Sequence, residues 1–223
     1  MKKQAGFTLI ELAIVLVIIG LLLGGVLKGQ ELINSARVKN MASDFKNTQV
    51  FIYGYQDRFR AIPGDDAAAG THIANATPAT TGGTTGNAII EGEWDSVIIT
   101  EESFLFWQHV RLAGFAPGTT TFGTPADLAL YTPKNADGGR IGVQSVSDFT
   151  KITGPTTAMS GAFVICSDGI LGSYATQLDT ILDDGETSTG SVRAIAAAST
   201  GDAATTAVIN AAASDPYTVC MSF

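Results

Sequence analysis

Histidine and cysteine are scarce in this chain of 223 residues, with two of each: His72, His109, Cys166 and Cys220. Neither histidine stands among cysteines or acids at ligand spacing, so the pattern supports no zinc site. No G-x-S-x-G elbow and no Walker loop occurs, and the Gly82-Gly83 patch lacks the lysine and helix that a phosphate cradle requires. We therefore expect no enzyme and no catalytic residue. Positive charge is also in short supply, with 13 Lys and Arg against 21 Asp and Glu and a formal net charge of −8. Backbone binding to nucleic acid needs clustered Lys and Arg, so no nucleic-acid partner is expected.

Two local absences say more. From Phe7 to Val26 the only ionisable side chain is Glu11, and from Phe7 to Ile62 there is no proline. An apolar run of about 20 residues spans roughly 30 Å as a helix, the hydrocarbon thickness of a bilayer. The lysines before it, Lys2 and Lys3, place that end in the cytoplasm and the bulk of the chain outside. An ordinary secretory signal is shorter and ends in a small-residue cleavage site, which is missing here. A carboxylate at the depth of Glu11 costs on the order of 2–3 kcal/mol on insertion scales and calls for a partner. A cut between Gly6 and Phe7 would create one, the free amine of Phe7.

The heptapeptide GFTLIEL, Gly6 to Leu12, behind a short lysine-bearing leader resembles the processing site of type IV prepilins and of secretion pseudopilins. Gly6, Phe7 and Glu11 match that family in type and spacing. The resemblance implies cleavage after Gly6 by a prepilin peptidase and methylation of Phe7. It also implies that Glu11 neutralises the N-terminal amine of a neighbouring subunit during filament assembly. The implied partners are other pilin subunits, the peptidase, the pilus or secretion assembly platform and, for the precursor, the inner membrane. After processing the subunit would lie in a pilus at the cell surface or in a periplasmic filament. The rival expectation is an uncleaved anchor carrying a periplasmic binding module, with loops around Thr71–Asn87 or Asp183–Glu186 as its ligand surface.

Beyond the membrane half, Val38, Met41, Phe45, Thr48, Ile52, Tyr55, Phe59 and Ile62 follow one another at three- and four-residue steps. That spacing turns one helix face to a partner. A coiled coil would share it, but the aromatic content, Phe45, Phe51, Tyr53, Tyr55 and Phe59, favours packing on the chain's own sheet. Gly20, Gly24 and Gly25 would let helices approach closely and would weaken the helix locally. Pro63-Gly64-Asp65-Asp66 ends the helix. A loop is expected over Thr71–Asn87, with a formal glycosylation triplet at Asn75-Ala76-Thr77.

A second helix is expected over Glu101–Ala113, capped by Thr100, with Glu101 and Glu102 in its first turn and Gly114 as its stop. Its Phe104, Phe106 and Trp107 read as core, and His109 as a hydrogen-bonding residue. Strands are expected over Arg140–Val146 and Ala162–Cys166, with a tight turn at Asp168-Gly169. A third helix is expected within Ser173–Glu186, capped by Ser173 and stopped by Gly185. Asp183 and Asp184 would lie at its negative pole, which calls for Arg193 or a bound cation. Some pseudopilins hold calcium in a C-terminal loop, which makes Asp183, Asp184 and Glu186 weak calcium candidates, although the spacing matches no EF-hand. Residues 194–213 read as a loop or thin helix, and Tyr217–Phe223 as a strand. Cys166 and Cys220, both exported, should pair in an oxidising compartment.

The expected architecture is α+β and pilin-like. A long N-terminal helix, half transmembrane, packs on an antiparallel sheet, and a disulfide staples the C-terminal region. The expected organisation is a leader at 1–6, a membrane or filament-core half-helix at 7–30, an amphipathic half at 31–62 and a globular domain at 63–223.

Overall fold

A computed structural model of the chain describes residues 8–122, 131–149, 152–153, 159–196, 204–205 and 215–223. Packing divides the chain into two units, Met1–Arg37 and Val38–Phe223. The first contains the N-terminal part of helix α1 (Leu9–Phe59), which runs without interruption through Gly20, Gly24 and Gly25. A Cβ built on any of those three glycines meets nothing within 4 Å. Their locally weakened helix, expected from composition, is not visible in this backbone.

In the second unit the expected stripe is buried on α1 at Val38, Met41, Phe45, Thr48, Ile52 and Tyr55, with Ala42 beside them, whereas Phe59, expected on the same stripe, is only partly buried. It joins sheet residues in one core, with Phe45 against a cluster that includes Ile141, Val143, Ile165, Val219 and Met221. The sheet, not a partner helix, is what the three-four spacing serves. Tyr53 is a correction, since it is largely exposed, with its ring in edge contact with Phe223 at 5.9 Å. The helix ends at Phe59, three residues before Ile62, because Arg60 adopts a left-handed φ of 57°. Its N–H still reaches Gln56 O at 2.9 Å, so the chain turns out of the helix before Pro63 forces it to.

The expected loop at Thr71–Asn87 begins inside a single helical turn, α2 (Ala69–His72). Helix α3 (Glu102–Leu112) lies where it was expected and buries Phe104, Phe106 and Trp107. Its N-cap is Glu101 rather than Thr100 and makes no side-chain cap bond. At the other end Gly114 takes φ +81° directly after the cap residue, as a glycine stop should.

Strands β1 (Ile141–Ser145), β3 (Phe163–Leu171), β4 (Val192–Ala196) and β6 (Pro216–Ser222) form one antiparallel sheet in the order β1-β3-β6-β4. Two-residue strands β2 (Ile152–Thr153) and β5 (Ala204–Thr205) pair in parallel. Three expectations need correction here. Strand β3 does not stop at Cys166, and Asp168-Gly169 is not a turn. The pairing register shifts between Ser167 and Ile170 and the strand continues to Leu171, so the pair forms a bulge. Residues 194–196, expected in a loop or thin helix, belong to β4. Much of the stretch up to 213 lies outside the described residues, as does Gly6-Phe7.

Helix α4 (Gly172–Leu182) follows β3 at once. Leu171, not Ser173, is its N-cap, and the helix ends before Gly185 is reached. Strand alternation gives the sheet two faces. Val143, Ile165, Met221 and Val192 share the face toward α1 and α4, with Tyr174, Ala175 and Leu178 in the same core. Trp94, Met159, Val164, Cys166, Ile195 and Cys220 form a second cluster.

Candidate functional site: the helix start, the staple and an acidic turn

Thr8 and Glu11 bind one another. The Thr8 N–H donates to Glu11 Oε2 at 2.8 Å, and the Thr8 hydroxyl donates to the same oxygen at 2.7 Å. In return the Glu11 N–H donates to Thr8 Oγ1 at 3.4 Å. This is a capping box, in which two otherwise unpaired backbone donors of a helix start are satisfied reciprocally. The sequence carries its signal as Thr8-x-x-Glu11. Glu11 therefore has a partner within its own chain, and a neighbour's amine would have to compete with Thr8. Gly6 and Phe7 lie outside the described residues.

From Leu9 to Ile33 the large apolar side chains of α1 are exposed, among them Leu9, Leu16, Leu21, Leu22 and Leu27. The helix is long and apolar enough to cross a membrane. A contiguous apolar surface of that size is stable only against lipid or against other apolar chains.

Cys166 and Cys220 are bonded, closing a separation of 54 residues. They are register partners on β3 and β6, in a row that continues to Gly142 on β1 and Arg193 on β4. The staple therefore sits in the middle of the sheet.

At the end of α4, acids accumulate as expected, but the buried member is one that spacing alone did not single out. Asp179 is fully buried, and neither of its carboxylate oxygens has a hydrogen-bond partner. Burial, together with the negative charges of Asp184, Asp183 and Glu186, pushes its carboxyl up to about 7. One ligand atom from each of Asp179, Asp183 and Asp184 lies within 4.8 Å of the others. Asp183 Oδ2 accepts from the N–H groups of Ser191 and Val192 at 2.5 and 3.1 Å. Asp184 Oδ1 accepts from the Glu186 N–H at 2.9 Å. Glu186 itself accepts from the Ser188 hydroxyl at 2.9 Å and is not part of the close group. Arg193, expected as a compensating charge, donates through Nε to Gly190 O at 3.1 Å. It leaves β4 on the disulfide side of the sheet, whereas α4 packs on the side of Val192 and Ala194. The three carboxylates offer hard oxygen ligands of the kind calcium and magnesium take.

His109 makes the hydrogen bonds expected of it. His109 is buried; its Nδ1 accepts from the Gly64 N–H at 2.9 Å, so Nε2 carries the proton donated to Thr77 O at 2.8 Å. Burial pushes its pKa down, which keeps the ring neutral. Asp66 accepts from the Tyr55 hydroxyl and pairs with His72 Nδ1, each at 2.7 Å. Asp65 is held by the N–H groups of Gly86, Asn87 and Ala88. Glu102, in the first turn of α3 as expected, is fully buried, with Oε2 accepting from the Glu91 N–H at 2.9 Å. These contacts tie the turn after α1 to α3, beside an open cleft of about 330 Å³ lined by Arg60, Asp65, Asp66 and Ala88.

Residues 1–27 match the family model of the prokaryotic N-terminal methylation motif, the type IV pilin-class signal. Nothing among the curated proteins matches the chain, and nothing among the solved structures does.

Proposed function

We propose that this chain, which carries a pilin-class signal at its N-terminus, is a structural subunit of a type IV pilus or of a related secretion filament. The precursor would sit in the inner membrane with residues 1–6 in the cytoplasm and the domain outside. Cleavage after Gly6 and methylation of Phe7 would precede assembly through α1. The observation that carries this reading is the coincidence of two features on one helix. The methylation motif covers residues 1–27, and the same stretch of α1 exposes a continuous apolar surface that only lipid or neighbouring helices can cover.

Glu11 supplies the registration step. In a low-dielectric bundle of helices, its carboxylate and the Phe7 amine of a neighbour attract more strongly than in water, and each relieves the other's desolvation. The Thr8 bonds hold the carboxylate at the helix start until that amine arrives. A glutamine is also competent in a capping box, so Glu11→Gln preserves the helix start while removing the charge.

Intact-mass and peptide mass spectrometry on protein from the cell envelope tests the proposal. The expected product begins at Phe7 and carries one additional methyl group. A chain retaining Met1–Gly6 in cells with active prepilin peptidase would overturn it, in favour of an anchored binding module with the loops around Thr71–Asn87 or Asp183–Glu186 as its ligand surface. For the registration step, Glu11→Gln should be processed yet fail to enter filaments. Wild-type filament levels in that variant would exclude the charge pair.

A further inference from the structure

We infer that residues 82–89 form a strap over the junction of α1 and α3, held shut by one proton shared between the carboxyl groups of Asp65 and Glu102. The backbone donors of this segment go to acids rather than to a neighbouring strand. The N–H groups of Gly86, Asn87 and Ala88 all donate to the Asp65 carboxylate. The Thr84 N–H donates to Glu91 Oε2 at 2.6 Å, and the Glu91 N–H to Glu102 Oε2 at 2.9 Å. Both ends of the strap are fixed without these carboxylates. Before it, the Thr80 and Thr81 N–H groups donate to Thr100 O at 3.0 and 3.3 Å. After it, the Ile90 N–H donates to Ser145 Oγ at 2.8 Å, and the Ser145 N–H returns a bond to Ile90 O at 2.9 Å. Between the two anchors Ala88 takes a φ of 67°. A residue with a Cβ is strained there, so the closed strap carries a cost that its bonds to the acids offset.

Asp65 and Glu102 are both buried, and their carboxyl groups lie in hydrogen-bond contact. Two ionised carboxylates cannot hold such a contact, because neither carries a hydrogen and like charges repel strongly out of water. A single proton resolves the conflict, and the neighbours decide where it sits. Asp65 accepts from three N–H groups, which favours its ionised form. Glu102 accepts from one on Oε2, and its buried Oε1 receives no bond from any donor among the described residues. Glu102 therefore carries the proton and donates it to Asp65. Burial and the negative charges of Asp65 and Glu91 push the Glu102 carboxyl up to about 7. The other charged groups nearby are engaged or stand aside. Asp66 is held by Tyr55 and His72, and Asp148 takes the Gly92 N–H. Glu101 lies beside Gly82 and Gly92, and Arg60 lines the cleft. His109, further along α3, is neutral. When the strap opens, Glu102 meets water and returns towards its ordinary 4.5. Its proton then passes to solvent and leaves two ionised carboxylates. Opening is thus coupled to proton loss and grows easier as pH rises from 4.5 to 7. Gly86 and Ala88 line the cleft with Asp65, so release of the strap widens it. On a domain exported as proposed above, that cleft would respond directly to external pH.

Hydrogen–deuterium exchange of the full chain in detergent micelles, read by peptide mass spectrometry between pH 5 and 8, tests the strap. Rates are divided by those of an unstructured peptide at the same pH, so that only protection is compared. In the wild type, protection of residues 82–89 should fall by up to about tenfold per unit below pH 7 and level off above it. At every pH it should stay at least about tenfold below that of β3 and β6, as local opening requires. In Glu102→Gln an amide donates to Asp65 at any pH, and most of the slope should vanish. Glu91→Gln removes a charge facing Glu102, so the fall should be smaller and should level off at a lower pH. It serves if Glu102→Gln does not fold. Strap protection independent of pH in the wild type would overturn the inference. So would a strap that exchanges no faster than β3 and β6, or a wild-type profile in Glu102→Gln or in Glu91→Gln.

Discussion

The Gly64 N–H donates to Nδ1 of His109 across 45 residues of sequence, at 2.9 Å, inside the domain. One ring thereby joins three segments: the turn after α1 through Gly64, helix α3 that carries it, and the Thr77 carbonyl on its other nitrogen. A substitution that keeps the ring's bulk but not its nitrogens should therefore unlock all three. His109→Phe leaves one buried donor and one acceptor unpaired, at about 1–3 kcal/mol each. Chemical denaturation should show a loss of roughly 2–6 kcal/mol.

Reduction of the staple should be felt throughout the sheet, because Cys166 and Cys220 are register partners on adjacent strands. The chain-entropy account for a closed loop of 54 residues gives about 4 kcal/mol. Cys166→Ala combined with Cys220→Ala should lower stability by about 2–4 kcal/mol, with the urea midpoint falling accordingly. Equal midpoints for wild type with and without reductant would contradict the expectation.

Stability should decline as pH rises through the range set by Glu102. Burial, followed by the negative charges of Asp65 and Glu91, pushes its carboxyl up from an ordinary 4.5 to about 7. The folded chain thus holds a proton that the unfolded chain has released, and folding is favoured at the acid end of that window. Between pH 4.5 and 7 the loss should reach roughly 2–3 kcal/mol. Glu102→Gln should flatten this slope and be more stable than wild type at pH 8 by about 1–2 kcal/mol. Asp179, pushed up to about 7, Asp44, pushed by burial to about 6, and Asp65, whose pKa burial also raises, should leave a residual slope of the same sign. Denaturation curves at a series of pH values measure both.

Gly142 should tolerate no side chain. A Cβ there would lie 1.8 Å from the Trp94 carbonyl oxygen, a backbone atom that cannot rotate aside. The Trp94 N–H is in turn fixed to Gln144 Oε1 at 2.9 Å. Gly142→Ala should cost about 1–3 kcal/mol through displacement of β1 or the Trp94 segment. Gly24→Ala is the matched control, since its Cβ meets nothing. In the isolated subunit it should be neutral or should strengthen α1 by up to about 1 kcal/mol.

What the sequence by itself determined is what depends on neighbours along the chain. The apolar run with Glu11 and the lysines before it, the proline-free helix and its buried stripe from Val38 to Tyr55 are local or periodic signals. So are the aromatic core of α3 and the glycine stop at Gly114. The disulfide was legible because only two cysteines exist and both follow the apolar run. The tertiary structure decided whatever rests on contacts between distant segments. Asp168-Gly169 became a bulge rather than a turn because β6 continues to pair beyond it, with Ile170 opposite Tyr217. Glu102 became a buried acid because the Glu91 segment folds over the start of α3. Asp179, an unremarkable helical residue in the sequence, became the buried member of an acidic group because the α4 face carrying it is pressed against the core. Periodicity marks which face of an element is apolar, but the electrostatic cost of a carboxylate is set by what covers it, and that is decided only when the chain has folded.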